Sequence, residues 1–435
     1  MRRSVRWSVL AFALIVPGAA WGSGYNIWEQ SAVAMGMAGT GTAVVGDASA
    51  IFHNPAALTR LGKGWHGNGV FHLLHATTSF AGVDPKPGFG TIEEMEPGVF
   101  PIPNAYLARV EPNRWAIGIG AFAPFGLGVE WKDPTRFTGR EIVTKADLKT
   151  VNGNATFAWA FNEQWSVGAG FDALLAEVEL NRINRAPYPG SGGLVNVANV
   201  KLESDLTPGY GFNAGFAFTP SETWRFGAAY RSSIEVEIED GKATFDQILA
   251  NTGNAASDAV FNAQVAAGLP PDQAVGTTLK FPAIWSLGTA WKSGEWTAAL
   301  DVNLMQWSIF DELALEFEQT PSVNSTIVEE YEDALQVRIG AEHRLEKWTY
   351  RFGYYFDQHA APTESVSPLL PDTNRHGASV GASLPLGWGQ GATLDAYELA
   401  VFPTRVDTKG VNRDDYNGHY RSFVNVLGIG LSIHF

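Results

Sequence analysis

Four arginines stand among alternating residues, on the side that is small or polar: Arg225 and Arg231 within 224–231, Arg338 within 335–342, and Arg351 within 349–357. A guanidinium grips a carboxylate through two parallel N–H···O bonds, so these side chains have the chemistry to hold an acidic ligand. Arg338 and Arg351 lie on segments joined by a short turn, and they are the pair expected to act on a ligand together. Asp301, Glu342 and Asp357 share the polar set, and for any single arginine neutralising one of them is the readier role. Ser379 sits in Gly377-Ala378-Ser379-Val380-Gly381, the G-x-S-x-G spacing of a nucleophile elbow. That motif needs a sharp strand-to-helix turn to lift the serine. Here the surrounding residues simply alternate and no helix follows, so no catalytic residue is expected. His72 and His75 are three apart in an alternating stretch and point to opposite faces, so no metal site is expected. Gly168-Ala169-Gly170 and Gly209-Tyr210-Gly211 read as strand glycines, and no phosphate-cradling Walker loop is present.

The elements carrying these residues are strands. In 224–231, Trp224, Phe226, Ala228 and Tyr230 alternate with the arginines; 296–303, 335–342 and 349–357 behave alike. Period two makes one face apolar and the other polar. Either a sandwich or a membrane barrel would satisfy that pattern. The secretory signal, the tryptophans at strand ends and the small polar-face residues favour the barrel, and the composition is unlike that of an ordinary soluble enzyme: 435 residues, 47 of them Gly, 12% aromatic, only 17% charged, and no cysteine. Without cysteine there is neither a disulfide framework nor a thiolate site, and no cofactor is expected. The net charge of −15 argues against a nucleic-acid partner, which would require a basic footprint.

Residues 1–22 read as a secretory signal, with Arg2, Arg3 and Arg6 ahead of an apolar run and Ala20-Trp21-Gly22 supplying the small residues before the cut. That run is far short of the ~20 residues of a spanning helix. Any later membrane crossing must be made by strands. Short turns at 111–114, 162–164, 220–222, 293–295, 346–347 and 387–391 alternate with long connections at 82–101, 132–140, 181–199, 241–274, 317–332, 361–374 and 408–418. Short inner turns and long outer loops mark an outer-membrane barrel. Counting between them predicts an all-β transmembrane antiparallel barrel of about 14 strands over residues 63–435. Trp65, Trp115, Trp165, Trp224, Trp296 and Trp348 open strands just after short turns, where an interfacial girdle belongs. The strand over 393–406 has Asp395 and Glu398 on opposite faces, which suggests a bulge.

Residues 23–62 look different. They are rich in Gly, Ala and Ser and end at the breaker Asn54-Pro55, so they are read as a hatch that plugs the barrel. Gly24-Tyr25, Glu29-Gln30-Ser31-Ala32, Gly36, Ala38-Gly39, Asp47-Ala48-Ser49 and Asn54-Pro55-Ala56 make this segment resemble the hatch of the outer-membrane long-chain fatty acid transporter family, which includes channels for aromatic hydrocarbons. The alternating final strand ending in Phe435 resembles the assembly signal of outer-membrane barrels.

The resemblance implies passive uptake of hydrophobic compounds across a Gram-negative outer membrane, long-chain fatty acids first and aromatic hydrocarbons as the alternative; a barrel hydrolase has only the Ser379 motif behind it. The partners would be hydrophobic small molecules and outer-membrane lipids, and a monomer is expected. Pro124 and its glycines in 120–128 should break the sheet. By resemblance this is a kinked third strand, with Asn54, Pro55, Ala56, Phe122, Pro124 and Phe125 bordering a lateral exit. Between 244 and 274, Phe245, Ile248 and Leu249, then Phe261 and Val265, have helical spacing. The resemblance makes this segment part of a ligand-collecting groove; packing of these faces on one another is the alternative.

Overall fold

A computed structural model describes residues 24–111, 114–190, 192–387 and 391–435. The signal segment and Ser23 lie outside them. The barrel strands are β1 (Gly64–Gly82), β2 (Gly98–Val110), β3 (Trp115–Phe122, resuming as Gly126–Glu130) and β4 (Lys145–Ala160). Next come β5 (Trp165–Pro187), β6 (Leu194–Glu203 with Thr207–Phe218), β7 (Trp224–Arg231 with Ile234–Gln247) and β8 (Gln273–Phe281 with Ile284–Ser293). The last six are β9 (Trp296–Met305, resuming as Glu312–Phe317), β10 (Ala334–Arg344), β11 (Thr349–Asp357), β12 (Arg375–Pro385), β13 (Gly391–Asp407) and β14 (Gly418–His434). All neighbours are antiparallel, and β14 closes on β1 from His66↔His434 to Gly82↔Gly418, completing a 14-stranded barrel.

The alternation sorts as expected. Leu335, Ile339, Tyr350, Phe352 and Tyr354 face outward, while Gln336, Arg338, Glu342, Arg351 and Asp357 are buried on the lumen side. Four of the six tryptophans are the first residue of their strand. The inner turns at 162–164, 220–222, 293–295 and 346–347 fall where they were expected, those at 111–114 and 387–391 lie partly outside the described residues, and two outer segments differ. Residues 181–187 and 194–199 continue β5 and β6 rather than forming loop, and Phe245 belongs to β7, not to a helix. Thr244 and Phe245 pair with Lys201 and Val200, so tertiary pairing overrides the local spacing. Residues Ala255–Gly268 do form a helix, capped when Asn254 Oδ1 accepts from Ser257 N. The bulge in β13 lies between Val401 and Thr404; Asp395 turns inward and Glu398 outward as the alternation required.

Residues 24–60 run through the lumen. They contain helices α1 (Ala32–Gly36) and α2 (Ala50–His53) and a 3₁₀ turn over Pro55–Arg60. They sit so close to the wall that side chains there are excluded. A Cβ on Gly168 would lie 2.6 Å from the Pro55 backbone, and one on Gly340 2.6 Å from Met37. Gly215, Gly227, Gly353 and Gly381 meet Asn54, Thr42, Ala38 and Gly36 in the same way. Glycine on the polar face of successive strands therefore makes a flat track on which hatch backbone lies.

Candidate functional site

The hatch is fastened by wall side chains. Gly41 N and Thr42 N donate to Asp301 Oδ2 at 2.8 and 2.9 Å. Ala38 N donates to Ser379 Oγ at 2.8 Å, and that hydroxyl donates to Gly36 O. Ser379 thus serves as a hatch anchor. Arg338 donates to Ala38 O at 2.8 Å, and its guanidinium lies over the rings of Trp28 and Tyr355. Arg351 is paired with Glu342 at 2.8 Å. Arg231 is paired with buried Asp172 at 2.6 Å and packs over Phe52 and Phe122. Arg338 and Arg351 are not brought together: Arg338 faces Tyr355 across the ladder and Arg351 faces Glu342.

The expected interruption at Pro124 is real and lies inside β3, which resumes at Gly126. The β2–β3 ladder stops at Ala105↔Ala121, and above it β2 pairs only with β1. Hatch backbone takes the vacated positions. Ile27 N donates to Pro124 O at 2.8 Å, and Gly126 N donates to Tyr25 O at 2.9 Å. Gln30 Nε2 donates to Ala123 O, and Asn104 Nδ2 donates to Glu29 O at 2.7 Å. A recess of about 140 Å³, lined by Gly98, Phe100 and Val129, remains above this closure.

Of the residues expected at this break, Phe122, Pro124 and Phe125 are there. Asn54, Pro55 and Ala56 are instead seated on β5 and β6: Asn54 Nδ2 donates to Phe216 O at 3.0 Å, and Ser166 Oγ donates to Ala56 O at 3.1 Å. The link between the two groups is Phe52, whose ring lies 5.4 Å from that of Phe122. Residues Asn26–Gln30 border the break, and sequence reasoning missed them because one isolated bridge, Asn26↔Phe125, leaves no alternating pattern.

Above the hatch, beside Tyr25, lies a cavity of about 80 Å³. Its wall is Tyr25, Leu127, Leu148, Val178, Leu180, Leu279, Phe281, Phe310, Leu313, Tyr331, Leu369 and Leu370, with acidic Asp147, Glu179 and Glu329. Among the described residues no lysine or arginine lines it. Burial, reinforced by neighbouring Asp414, pushes the Glu329 carboxyl up to about 8. The Tyr25 ring packs edge-on against Phe125, Phe281, Trp307 and Phe310, at 4.6 to 6.3 Å between centroids.

Farther out, Phe261 is buried against Tyr188, their rings 5.0 Å apart, with Val265 alongside. Phe245 packs on Phe317, and Ile248 N donates to Val197 O. Here the residues expected to collect ligand pack on one another; only Leu249 is largely exposed.

A closed 14-stranded barrel with an apolar belt outside, and with its own N-terminal segment threaded through the lumen, is the architecture of an outer-membrane transport protein. Over residues 13–435 the chain matches the family described as outer membrane protein transport protein (OMPP1/FadL/TodX), and it belongs to that family, whose members are outer-membrane transport proteins of Gram-negative bacteria rather than enzymes. A long-chain fatty acid transport protein of Salmonella typhi is 24% identical over 394 residues, spanning 86% of this chain and 87% of its own. Outer membrane protein P1 of Haemophilus influenzae is 26% identical over 416 residues, spanning 86% of each. The fold matches the crystal structure of a Pseudomonas aeruginosa FadL homologue with TM-score 0.79, 20% identity and coverage of 95% of this chain and 100% of that one. It matches the P. putida toluene transporter TodX with TM-score 0.71, 17% identity and coverage of 95% and 99%.

Proposed function

We propose that the protein carries hydrophobic molecules passively across the outer membrane: capture from outside, residence in the apolar cavity beside Tyr25, a shift of the hatch, and sideways release through the break in β3. The cavity carries this reading. It is apolar, it adjoins the first described residues of the hatch, and Phe125 of the broken strand reaches its Phe281 wall, with ring centroids 4.7 Å apart. Each CH₂ moved from water into such a site gains ~0.8 kcal/mol, which supports capture and makes release depend on a change of shape. Hatch movement supplies that change, because Tyr25 is both cavity wall and backbone partner of Gly126.

Relatives of this chain are named for fatty acids and for toluene. The family resemblance placed fatty acids first, with the polar-face arginines as candidate carboxylate partners. The cavity favours the uncharged class instead, since Arg231, Arg338 and Arg351 are engaged elsewhere and, among the described residues, no lysine or arginine lines the site. The test is uptake of labelled hydrophobic compounds by a Gram-negative host lacking its own transporter of this family. The wild type should restore uptake, and Leu313→Trp, which fills the cavity, should reduce it while the barrel still folds. Unchanged uptake in Leu313→Trp refutes the cavity as the binding site.

A further inference from the structure

The barrel wall has a second interruption. β8 and β9 pair from Ile284↔Met305 down to Ser293↔Trp296 and meet again only at Val275↔Phe317 and Gly276↔Glu316. Between these points, residues 277–282 of β8 have no ladder partner on the β9 side. The chain from 306 to 311 turns into the lumen as a short 3₁₀ segment, burying Trp307 completely. Tyr25 Oη donates to Lys280 O at 3.3 Å, at the bare edge of β8.

The two surfaces of this gap are opposite in chemistry. On the inside, Leu279, Phe281, Phe310 and Leu313 line the apolar cavity. On the outside, the alternate residues Thr278, Lys280, Glu312 and Ala314 line a cleft of about 840 Å³. The partition is one residue thick and is held by side-chain contacts rather than by a ladder. Seven carboxylates border the cleft, among them Glu235, Glu237, Glu312 and Glu316, against one lysine, Lys280. Among the described residues none of the seven has an ion-pair partner, and the four named are all exposed. Just below, outward-facing Tyr230 and Trp285 pack with their rings 4.4 Å apart, as a girdle does at the edge of the hydrocarbon layer. The cleft therefore opens at headgroup level.

We infer that this gap is a side portal between the outer leaflet surface and the apolar cavity, and that its acidic rim admits uncharged hydrophobic molecules while repelling carboxylates. The inference rests on the hydrophobic-uptake reading above and names both the route and the charge class. A rim of like charges around a low-dielectric opening acts on encounter rate, which such fields change by factors of ~10 to 10³. The gap supplies the route because no ladder hydrogen bonds need to break for it to widen; Trp307, Phe310 and Tyr25 need only change rotamer.

The test compares entry of labelled hexadecanoate and its methyl ester into the host described above. In the wild type the ester should enter about tenfold faster at low ionic strength. Glu235→Gln/Glu237→Gln/Glu312→Gln should speed the acid several-fold and leave the ester unchanged. Ala314→Trp, which fills the cleft from outside, should slow both probes while barrel heat-modifiability is retained. Equal entry of acid and ester in the wild type, or an acid rate unmoved by the glutamine variant, overturns the charge filter. Unchanged entry in Ala314→Trp overturns the portal. Entry of neither probe in the wild type defeats the uptake reading itself, a result separate from the other two.

Discussion

The barrel wall is interrupted twice, and the two breaks are closed by different physics. At β3 the hatch supplies backbone: Ile27 N to Pro124 O, Tyr25 O to Gly126 N, and the Asn104 and Gln30 amides on either side. At β8 and β9 the closure is aromatic: Trp307, Phe310 and Tyr25 packed edge-to-face, with one hydroxyl on Lys280 O. Buried backbone groups must be paired, so the first break cannot open until replacement partners arrive. Aromatic side chains give up about 0.5–1.5 kcal/mol per ring pair beyond their buried area when they part, so the second break yields more easily. Tyr25 belongs to both, through its carbonyl at β3 and its ring and hydroxyl at β8. Movement of this one residue would couple entry on one side of the lumen to release on the other.

The largest effect is expected from Tyr25→Ala. It removes the ring that fills the β8–β9 gap and packs on Phe125, and so loosens the residue whose carbonyl closes β3, a core truncation of about 3–5 kcal/mol in local stability. Hydrogen exchange should quicken at Ile27 and Gly126 and also along 277–282; quickening at only one break would show that Tyr25 does not link them. Asn104→Leu comes next. It leaves Glu29 O buried without its donor, at a cost of about 1–3 kcal/mol, and should loosen the β3 break alone. Exchange at 277–282 that rises equally would dissolve the distinction drawn here.

Tyr25→Phe is milder. It deletes only the bond to Lys280 O, about 0.5–1.5 kcal/mol, and should speed entry without changing exchange at Gly126. The smallest effect is a pH dependence at Glu329. Its folded-state carboxyl titrates at about 8, above the ordinary 4.5, with Tyr25, Tyr331, Arg413 and Asp414 around it. A raised value means that the neutral form is the one the fold prefers. Its contribution is complete below about 4.5 and is lost as pH rises through about 8. Binding of a neutral probe to the cavity should therefore weaken between pH 7 and 9 in the wild type and stay flat in Glu329→Gln. A parallel decline in both would assign the effect to another group.

The sequence alone carried the strand count and the lumen face of each strand tested, and it set residues 23–62 apart as a segment unlike the strands. These are local properties: period-two alternation, turn residues and a run of small side chains are all written within about ten neighbours. The polar-face glycines were also visible, and their recurrence on successive strands was a signal that backbone would lie against them. Tertiary structure decided the rest. For Arg338 and Arg351 the sequence left ligand binding and internal pairing both open; insertion of the hatch gave Arg338 the Ala38 carbonyl, and the β10–β11 hairpin set Arg351 against Glu342. Asn54-Pro55-Ala56 and Pro124 each signalled a break, but only closure of the barrel set the first on the glycines of β5 and β6 and gave the second to Asn26–Gln30. The β8–β9 gap left only Pro282 as a local mark, because it is mainly a failure of two segments about 30 residues apart to pair, and pairing is a property of the closed sheet rather than of either strand.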